Sequence, residues 1–181
     1  MQRISAIRLP VIHFNFAIMP STIVLSVLMK NCFFGFLEAT QEKAVQKLQA
    51  IHGSNYRSKV LYRLNSQIKL LGIIEVLRKG ITDNNIKLKL FYDKPVSNLN
   101  QQDTELYNKN IFSVTRQVHY STQNENSLDM VIFINGLPII TFELKNELTK
   151  QNVKDAIKQY KTSRDSKEEL FRLADAWCTL P

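Results

Sequence analysis

Two almost continuously apolar runs on either side of Asn135-Gly136 constrain the fold of this chain most. Leu128–Ile134 and Leu137–Lys145 each have the length of a β-strand, and Asn-Gly is the strongest short signal for a two-residue hairpin turn. A strand that is apolar on both sides must be covered on both faces of its sheet. The two runs therefore predict a hairpin at the centre of a sheet.

Two helices are predicted upstream of this hairpin. Apolar residues recur at spacings of three and four from Ala39 to Ile51 and from Arg57 to Lys79, which is the period of a helix with one buried face. Gly72 lies inside the second of these segments and weakens the prediction of a straight helix there.

The remaining segments complete a mixed α/β pattern. Alternation of apolar and polar residues predicts strands at Ile86–Tyr92 and Ile111–Tyr120, joined by a polar loop (Val96–Asn110) with one helical turn. A helix with a core-facing stripe is predicted over Lys150–Lys161. The fold class that follows is α/β, with a central mixed β-sheet flanked by helices.

The N-terminal stretch Val11–Met29 contains no Asp, Glu, Lys or Arg and is long enough to span a bilayer, which takes roughly 20 residues. It also carries His13, Asn15 and Pro20, and no cleavage site typical of a signal peptide follows it. A buried apolar segment is the favoured interpretation, and a membrane anchor is the alternative. Aggregation of the chain without detergent would favour the anchor.

The net charge and the cysteine content narrow the range of possible partners and cellular compartments. The net charge of +8 and the sequence pI of about 9.5 suit a polyanionic partner such as DNA, because basic side chains that meet phosphates release counterions. Cys32 and Cys178 stand alone, without the grouped ligands that a zinc site needs. Two isolated cysteines predict free thiols in a reducing compartment, the cytoplasm.

Three charged residues fall at the same end of the predicted hairpin. Asp129 lies near the start of the first strand, and Glu143 and Lys145 lie at the end of the second. Charges in buried strands are costly unless they are paired or bind a metal. Two converging carboxylates form the oxygen site that Mg²⁺ prefers. An ion pair of Lys145 with Glu143 or Asp129 at a sheet edge is the alternative.

The turn geometry tests this grouping. An ideal two-residue turn pairs Ile134 with Leu137 and therefore Asp129 with Phe142, which leaves Glu143 on the other face of the sheet. A one-residue offset, from a longer loop or a β-bulge, is needed to bring the carboxylates together. Pro138 cannot donate a ladder hydrogen bond, so we predict the offset beside it.

The stretch Asn124–Phe171, NENSLDMVIFINGLPIITFELKNELTKQNVKDAIKQYKTSRDSKEELF, closely resembles the nuclease region of type I restriction-modification R subunits. These proteins are members of the PD-(D/E)xK nuclease superfamily. The likeness extends upstream through LKLFYDKPVSN and NIFSVTRQVHYS and covers most of residues 38–171. The resemblance implies Mg²⁺-dependent cleavage of double-stranded DNA, with Asp129 and Glu143 as metal ligands and Lys145 as the catalytic lysine.

The resemblance also implies supporting residues. Relatives often carry Q-x-x-x-Y on the next helix, and Tyr160 matches the tyrosine, whereas the glutamine position holds Ala156. Gln159 and Gln151 are candidate substitutes without the motif spacing. Relatives usually also carry an acidic residue near the metal site on an upstream helix, and we take the nearest acidic residues of this chain as candidates for it.
These upstream candidates are Glu38 and Glu42.

A larger assembly is implied as well. R subunits work with methylation and specificity subunits and carry an ATP-driven motor, but no G-x-x-x-x-G-K-[ST] loop for ATP occurs in these 181 residues. We therefore expect an apolar segment of uncertain fold (1–37), a nuclease domain (38–171) and a tail outside the family (172–181), as in a truncated or frameshifted product. The alternative function is a catalytically silent remnant that retains only DNA or subunit binding.

Overall fold

Helices occupy most of the first half of the chain, and strands most of the second. The structure is a computed structural model that describes residues 11–13, 22–97, 100–119, 127–144 and 176–180, with side chains described in 29–97, 100–119 and 127–142. In chain order the elements are β1 (Val11–His13), α1 (Thr22–His52), a 3₁₀ turn (Gly53–Asn55), α2 (Tyr56–Leu71), α3 (Ile73–Lys79), β2 (Ile81–Asp83), β3 (Ile86–Leu88), α4 (Gln101–Asn108), β4 (Phe112–His119), β5 (Ser127–Ile134), β6 (Leu137–Leu144) and β7 (Ala176–Leu180).

The main sheet has five strands in the order β1-β4-β5-β6-β7. The inner strands β4, β5 and β6 pair in antiparallel fashion, β4 with β5 and β5 with β6. The edge strands pair in parallel, β1 with β4 and β7 with β6. The predicted α/β class with a mixed sheet is confirmed, and β5 of the predicted hairpin is the central strand. Strands β2 and β3 form a separate two-stranded sheet.

Two predicted elements differ in their bounds. The helix predicted over Arg57–Lys79 is broken at Gly72, whose φ of 77° and ψ of 160° glycine adopts at little cost. The strand predicted over Ile86–Tyr92 is shorter, and it pairs with β2 through a turn at Asn84-Asn85 in which both residues have positive φ. The helix predicted over Lys150–Lys161 lies outside the described residues.

The apolar N-terminal stretch contributes to the core. The boundary predicted at residue 37 falls inside α1, where Phe33, Phe34, Phe36 and Leu37 are each 1% exposed. They belong to a cluster that joins α1, α2 and α3 to β2, β3 and β6. Among the helices in the described part of the chain, none has both the length and the apolar content that a membrane span requires.

The C-terminal segment 172–181, which we expected to be a tail outside the family, contains a strand. Ala176–Leu180 forms β7 and pairs in parallel with β6. Its backbone hydrogen bonds are made with a strand that lies more than 30 residues earlier in the chain. Such long-range pairing satisfies backbone groups that a terminal extension would otherwise leave to water.

Polar contacts fasten α1 to the small sheet. At Gln41 the backbone leaves the helical conformation (φ −143°, ψ 41°). The carboxamide of Gln41 accepts a hydrogen bond from the Lys89 N–H (2.7 Å) and donates one to the Lys89 carbonyl (2.8 Å). At the end of α1, His52 Nε2 lies 2.7 Å from Asp83 Oδ2 at the β2–β3 turn. These contacts hold α1 in place at its kink at Gln41 and at its C-terminal end.

The predicted turn at Asn135-Gly136 is buried, and its polar groups are satisfied by distant segments. Asn135 is fully buried; its N–H donates to the Ile111 carbonyl and its Oδ1 accepts from the Ile111 N–H, both at 2.7 Å. Its Nδ2 donates to the Leu90 carbonyl (2.8 Å) and to Asn110 Oδ1 (3.1 Å). Buried polar groups are costly unless they are bonded in this way, so the turn is held to β4 and to the 89–92 loop.

The second residue of the turn lies directly under α1. Gly136 has φ +80°, and a Cβ added there would lie 2.4 Å from the Met29 carbonyl oxygen and 2.9 Å from the Phe33 nitrogen. Next to it, Cys32 is a free cysteine, as predicted, and burial raises the pKa of its thiol. Only glycine lets the backbones of the turn and the helix approach this closely.

We expect Gly136→Ala to lower the free energy of unfolding by about 2 to 4 kcal/mol, because the new Cβ both overlaps α1 and strains the backbone. The matched control is Gly53→Ala. Gly53 has a similar φ of +58° but no atom within 4 Å of its added Cβ, so only the backbone strain of about 1 to 2 kcal/mol applies. Chemical denaturation of both variants measures the difference, and equal losses would contradict the packing explanation.

Candidate active site

A β-bulge interrupts the register between β5 and β6. Beside the turn, Ile134 pairs with Leu137 and Phe133 with Pro138, but Ile132 pairs with Ile140. One extra residue, Ile139, is therefore accommodated on β6. The one-residue offset predicted from the sequence is confirmed, and it lies next to the proline that cannot donate to the ladder.

The bulge determines what faces Asp129. Beyond it Val131 pairs with Thr141 and Met130 with Phe142, so continuing the same ladder by one residue sets Glu143 opposite Asp129. Opposite positions of an antiparallel pair lie on one face of the sheet with Cβ atoms roughly 4.5–5.5 Å apart. Without the bulge, Phe142 would occupy the position opposite Asp129.

Asp129 lies at the border of a buried part of the sheet. Its side chain is half-buried, and the neighbouring Leu128 and Val131 are fully buried in a cluster against which Met29 of α1 packs. The adjoining cross-strand row contains buried Thr115 and Thr141. Asp129 therefore lies next to the buried part of the sheet while its own side chain is partly exposed.

The row that contains Asp129 and Glu143 continues on both sides. On β4, Arg116 pairs with Met130 and Val118 with Leu128, which sets Gln117 opposite Asp129. On β7, Thr179 pairs with Glu143. Neither Gln117 nor Thr179 was predicted from the sequence, because no local pattern indicates which residues of distant strands become neighbours.

The upstream acidic candidates lie on α1. The Glu38 carboxylate accepts hydrogen bonds from Tyr56 Oη (2.9 Å) and Arg57 Nη2 (3.1 Å), and Glu42 accepts one from Gln46. The bond with Tyr56, followed by that with Glu38, raises the pKa of the Arg57 guanidinium. The contacts of Glu38 tie α1 to α2, whereas that of Glu42 lies within α1. The assignment of both residues to the metal site stays a prediction.

The other predicted site residues, Lys145, Gln151, Gln159 and Tyr160, lie outside the described residues. Lys145 follows Leu144, the last residue of β6. Its predicted place on the same sheet face as Glu143 rests on the alternation of a strand. Its catalytic role and the supporting roles of the other three stay predictions.

The residues at the hairpin end fit a magnesium ion by their chemistry. Mg²⁺ is commonly held by one or two carboxylates, with water and substrate phosphates completing its coordination. Asp129 and Glu143 bring two carboxylates to facing positions. Among the side chains that the structure describes, no group of three His, Cys, Asp or Glu residues is close enough to hold a metal by itself. The pair of Asp129 and Glu143 as metal ligands stays a prediction.

Comparisons with known proteins identify the family to which the chain belongs. The family described as type I restriction enzyme R protein N terminus matches residues 33–180. A putative type I restriction enzyme MjaIXP endonuclease subunit from Methanocaldococcus jannaschii is 31% identical over 111 residues, covering 51% of this chain and 11% of that protein. The chain thus spans about a tenth of the archaeal relative's length. No solved structure matches significantly. The resemblance identified from the sequence is confirmed.

We expect a disulfide to form between positions 129 and 143 when both are cysteine. In a Cys32→Ser, Cys178→Ser background, Asp129→Cys with Glu143→Cys joins facing positions whose Cα atoms are about 4.5 to 5.5 Å apart, within disulfide range. Asp129→Cys with Phe142→Cys is the control, because these positions lie on opposite faces. Thiol titration after oxidation measures the link. Preferential linking of 129 to 142 would show that the bulge is absent.

Proposed function

Since the chain belongs to the type I restriction enzyme R protein N-terminus family, we propose that it is a nuclease domain that hydrolyses phosphodiester bonds of double-stranded DNA with Mg²⁺. The observation that carries the proposal is the bulged register of β5 and β6, which, continued by one residue beyond Met130 and Phe142, sets Glu143 opposite Asp129. Without that offset the two carboxylates would lie on opposite faces of the sheet and could not share one ion.

The proposed roles follow from the chemistry of the side chains. Asp129 and Glu143 would hold Mg²⁺ through their carboxylate oxygens. When bound, the ion supplies Lewis-acid polarisation of the scissile phosphate and makes water more acidic. Lys145 would orient the attacking water or stabilise the negative charge that develops on the phosphate oxygens.

The charge distribution supports a DNA substrate. The chain carries a net charge of +8. Helix α2 contains four basic residues and no acidic one. A basic protein gains affinity for duplex DNA through release of counterions from the phosphates, and this contribution weakens as salt increases. A nuclease domain of this kind would therefore bind DNA with little regard to sequence and lose affinity in high salt.

The family also suggests the setting in which the domain works. We propose that it acts beside methylation and specificity subunits, which would select the DNA, and together with an ATP-driven motor. These 181 residues contain no G-x-x-x-x-G-K-[ST] loop for binding ATP. The name of the archaeal relative describes an endonuclease subunit of a type I restriction enzyme. Cleavage by the present chain would then be one step of a larger assembly's activity.

We expect the purified chain to nick supercoiled plasmid with Mg²⁺ or Mn²⁺, and Asp129→Asn, Glu143→Gln and Lys145→Ala each to lower the rate by about 100-fold or more. Each variant removes a charge needed at the reacting phosphate. Glu105→Gln and Lys94→Ala are the matched controls, because both residues are exposed and lie outside the proposed site. Agarose gels measure the nicking.

Thermal unfolding shows whether each variant keeps its fold. Salt-sensitive binding of DNA without cleavage, equal in the wild type and in all three site variants, would contradict the nuclease proposal. It would favour the catalytically silent remnant that retains only binding.

A further inference from the structure

Gln117 has an unusual backbone conformation for its place in the fold. In the described part of the chain, four residues other than glycine have positive φ: three are asparagines in two-residue turns, and the fourth is Gln117, at +50° inside β4. Asparagine tolerates this left-handed region well, but glutamine does not share that preference. The surrounding strand pairing therefore holds Gln117 in a backbone conformation of higher free energy, in the middle of a sheet.

The strained residue lies at the level of the candidate active site. Ladder pairs on either side, Arg116 with Met130 and Val118 with Leu128, set Gln117 opposite Asp129. Glu143 follows on the far side of Asp129 in the same row. Backbone strain tends to be retained where it serves a function. Its location next to the predicted metal ligand is therefore informative.

The left-handed residue also changes which side chains of β4 are buried. Ser113 and Thr115 are buried at alternate positions, and regular alternation would continue this series to residue 117. Instead the buried series resumes at Val118, and Gln117 is exposed. The break thus leaves an uncharged carboxamide accessible to solvent at the ladder position across from Asp129.

We propose that Gln117 is a substrate-contacting residue of this site, whose carboxamide N–H donates a hydrogen bond to a phosphate oxygen of bound duplex DNA. The inference rests on the proposed function and adds a residue to it. Glutamine amides commonly contact DNA phosphates. Beside two carboxylates, a neutral donor can hold a phosphate without forming an ion pair that would compete with the cation for Asp129.

The test separates the carboxamide from the backbone conformation. Gln117→Gly keeps the left-handed backbone without strain and removes the amide, whereas Gln117→Asn keeps a shorter amide on a residue that tolerates the conformation. Asn85→Gly is the matched control, since Asn85 is also exposed and has φ +61°, in the β2–β3 turn. The readouts are thermal unfolding and the affinity for a fluorescent 30-base-pair duplex in Ca²⁺ at low salt.

We expect Gln117→Gly to unfold at the same or a higher temperature than the wild type but to bind the duplex about tenfold more weakly, as befits loss of one hydrogen bond to a charged group. Gln117→Asn should bind with intermediate affinity, and Asn85→Gly like the wild type. Wild-type affinity in Gln117→Gly would overturn the inference, as would loss of its fold, which would assign Gln117 a structural role.

The two proposals fail in different ways. If the wild type binds the duplex but does not cut plasmid, the cleavage proposal fails while the affinities of the Gln117 variants still decide the contact. If the wild type does not bind the duplex at all, both proposals are overturned.

Discussion

The carboxamide of Asn135 links the buried hairpin turn to two other segments of the chain, at Leu90 and at Asn110–Ile111. Hairpin turns usually lie at the surface, where solvent satisfies their backbone groups. Here Asn135 bonds to Ile111, Leu90 and Asn110 instead, and Gly136 lies against the backbone of α1. Each of these hydrogen bonds contributes about 1 kcal/mol net, but leaving one group buried and unbonded would cost more. The arrangement therefore specifies one position for the hairpin beneath the helix.

The buried turn matters at the other end of the hairpin. A slip of one residue moves every side chain of a strand to the opposite face. Because the turn is fixed by its contacts, the register at Asp129 depends on the bulge at Ile139 alone. Asp129 lies five residues from Ile134, about 17 Å along an extended strand. The facing of the two carboxylates is thus decided by packing and backbone geometry well away from them.

The end of the N-terminal apolar stretch and the residues that follow it are part of the core. Met29, the last residue of the stretch that raised the question of a membrane anchor, packs against the cluster of Val118, Leu128, Val131 and Phe133. The phenylalanines that follow on α1 fill the larger core. Burial of their apolar area stabilises the fold.

The sequence by itself determined the features that depend on neighbouring residues. Positive φ at Asn135-Gly136 follows from two residues that tolerate it, and the family resemblance follows from a continuous stretch. Pro138 indicated an irregularity of the register, but the sequence left open whether a longer loop or a β-bulge provides it. Tertiary structure alone decided that the offset is a bulge, that the turn is buried, that Gln117 takes the ladder position across from Asp129, and that Ala176–Leu180 pairs with β6. These features join residues far apart in the chain. Their free energy comes from burial and hydrogen bonds that exist only once the whole sheet has formed, so no local pattern encodes them.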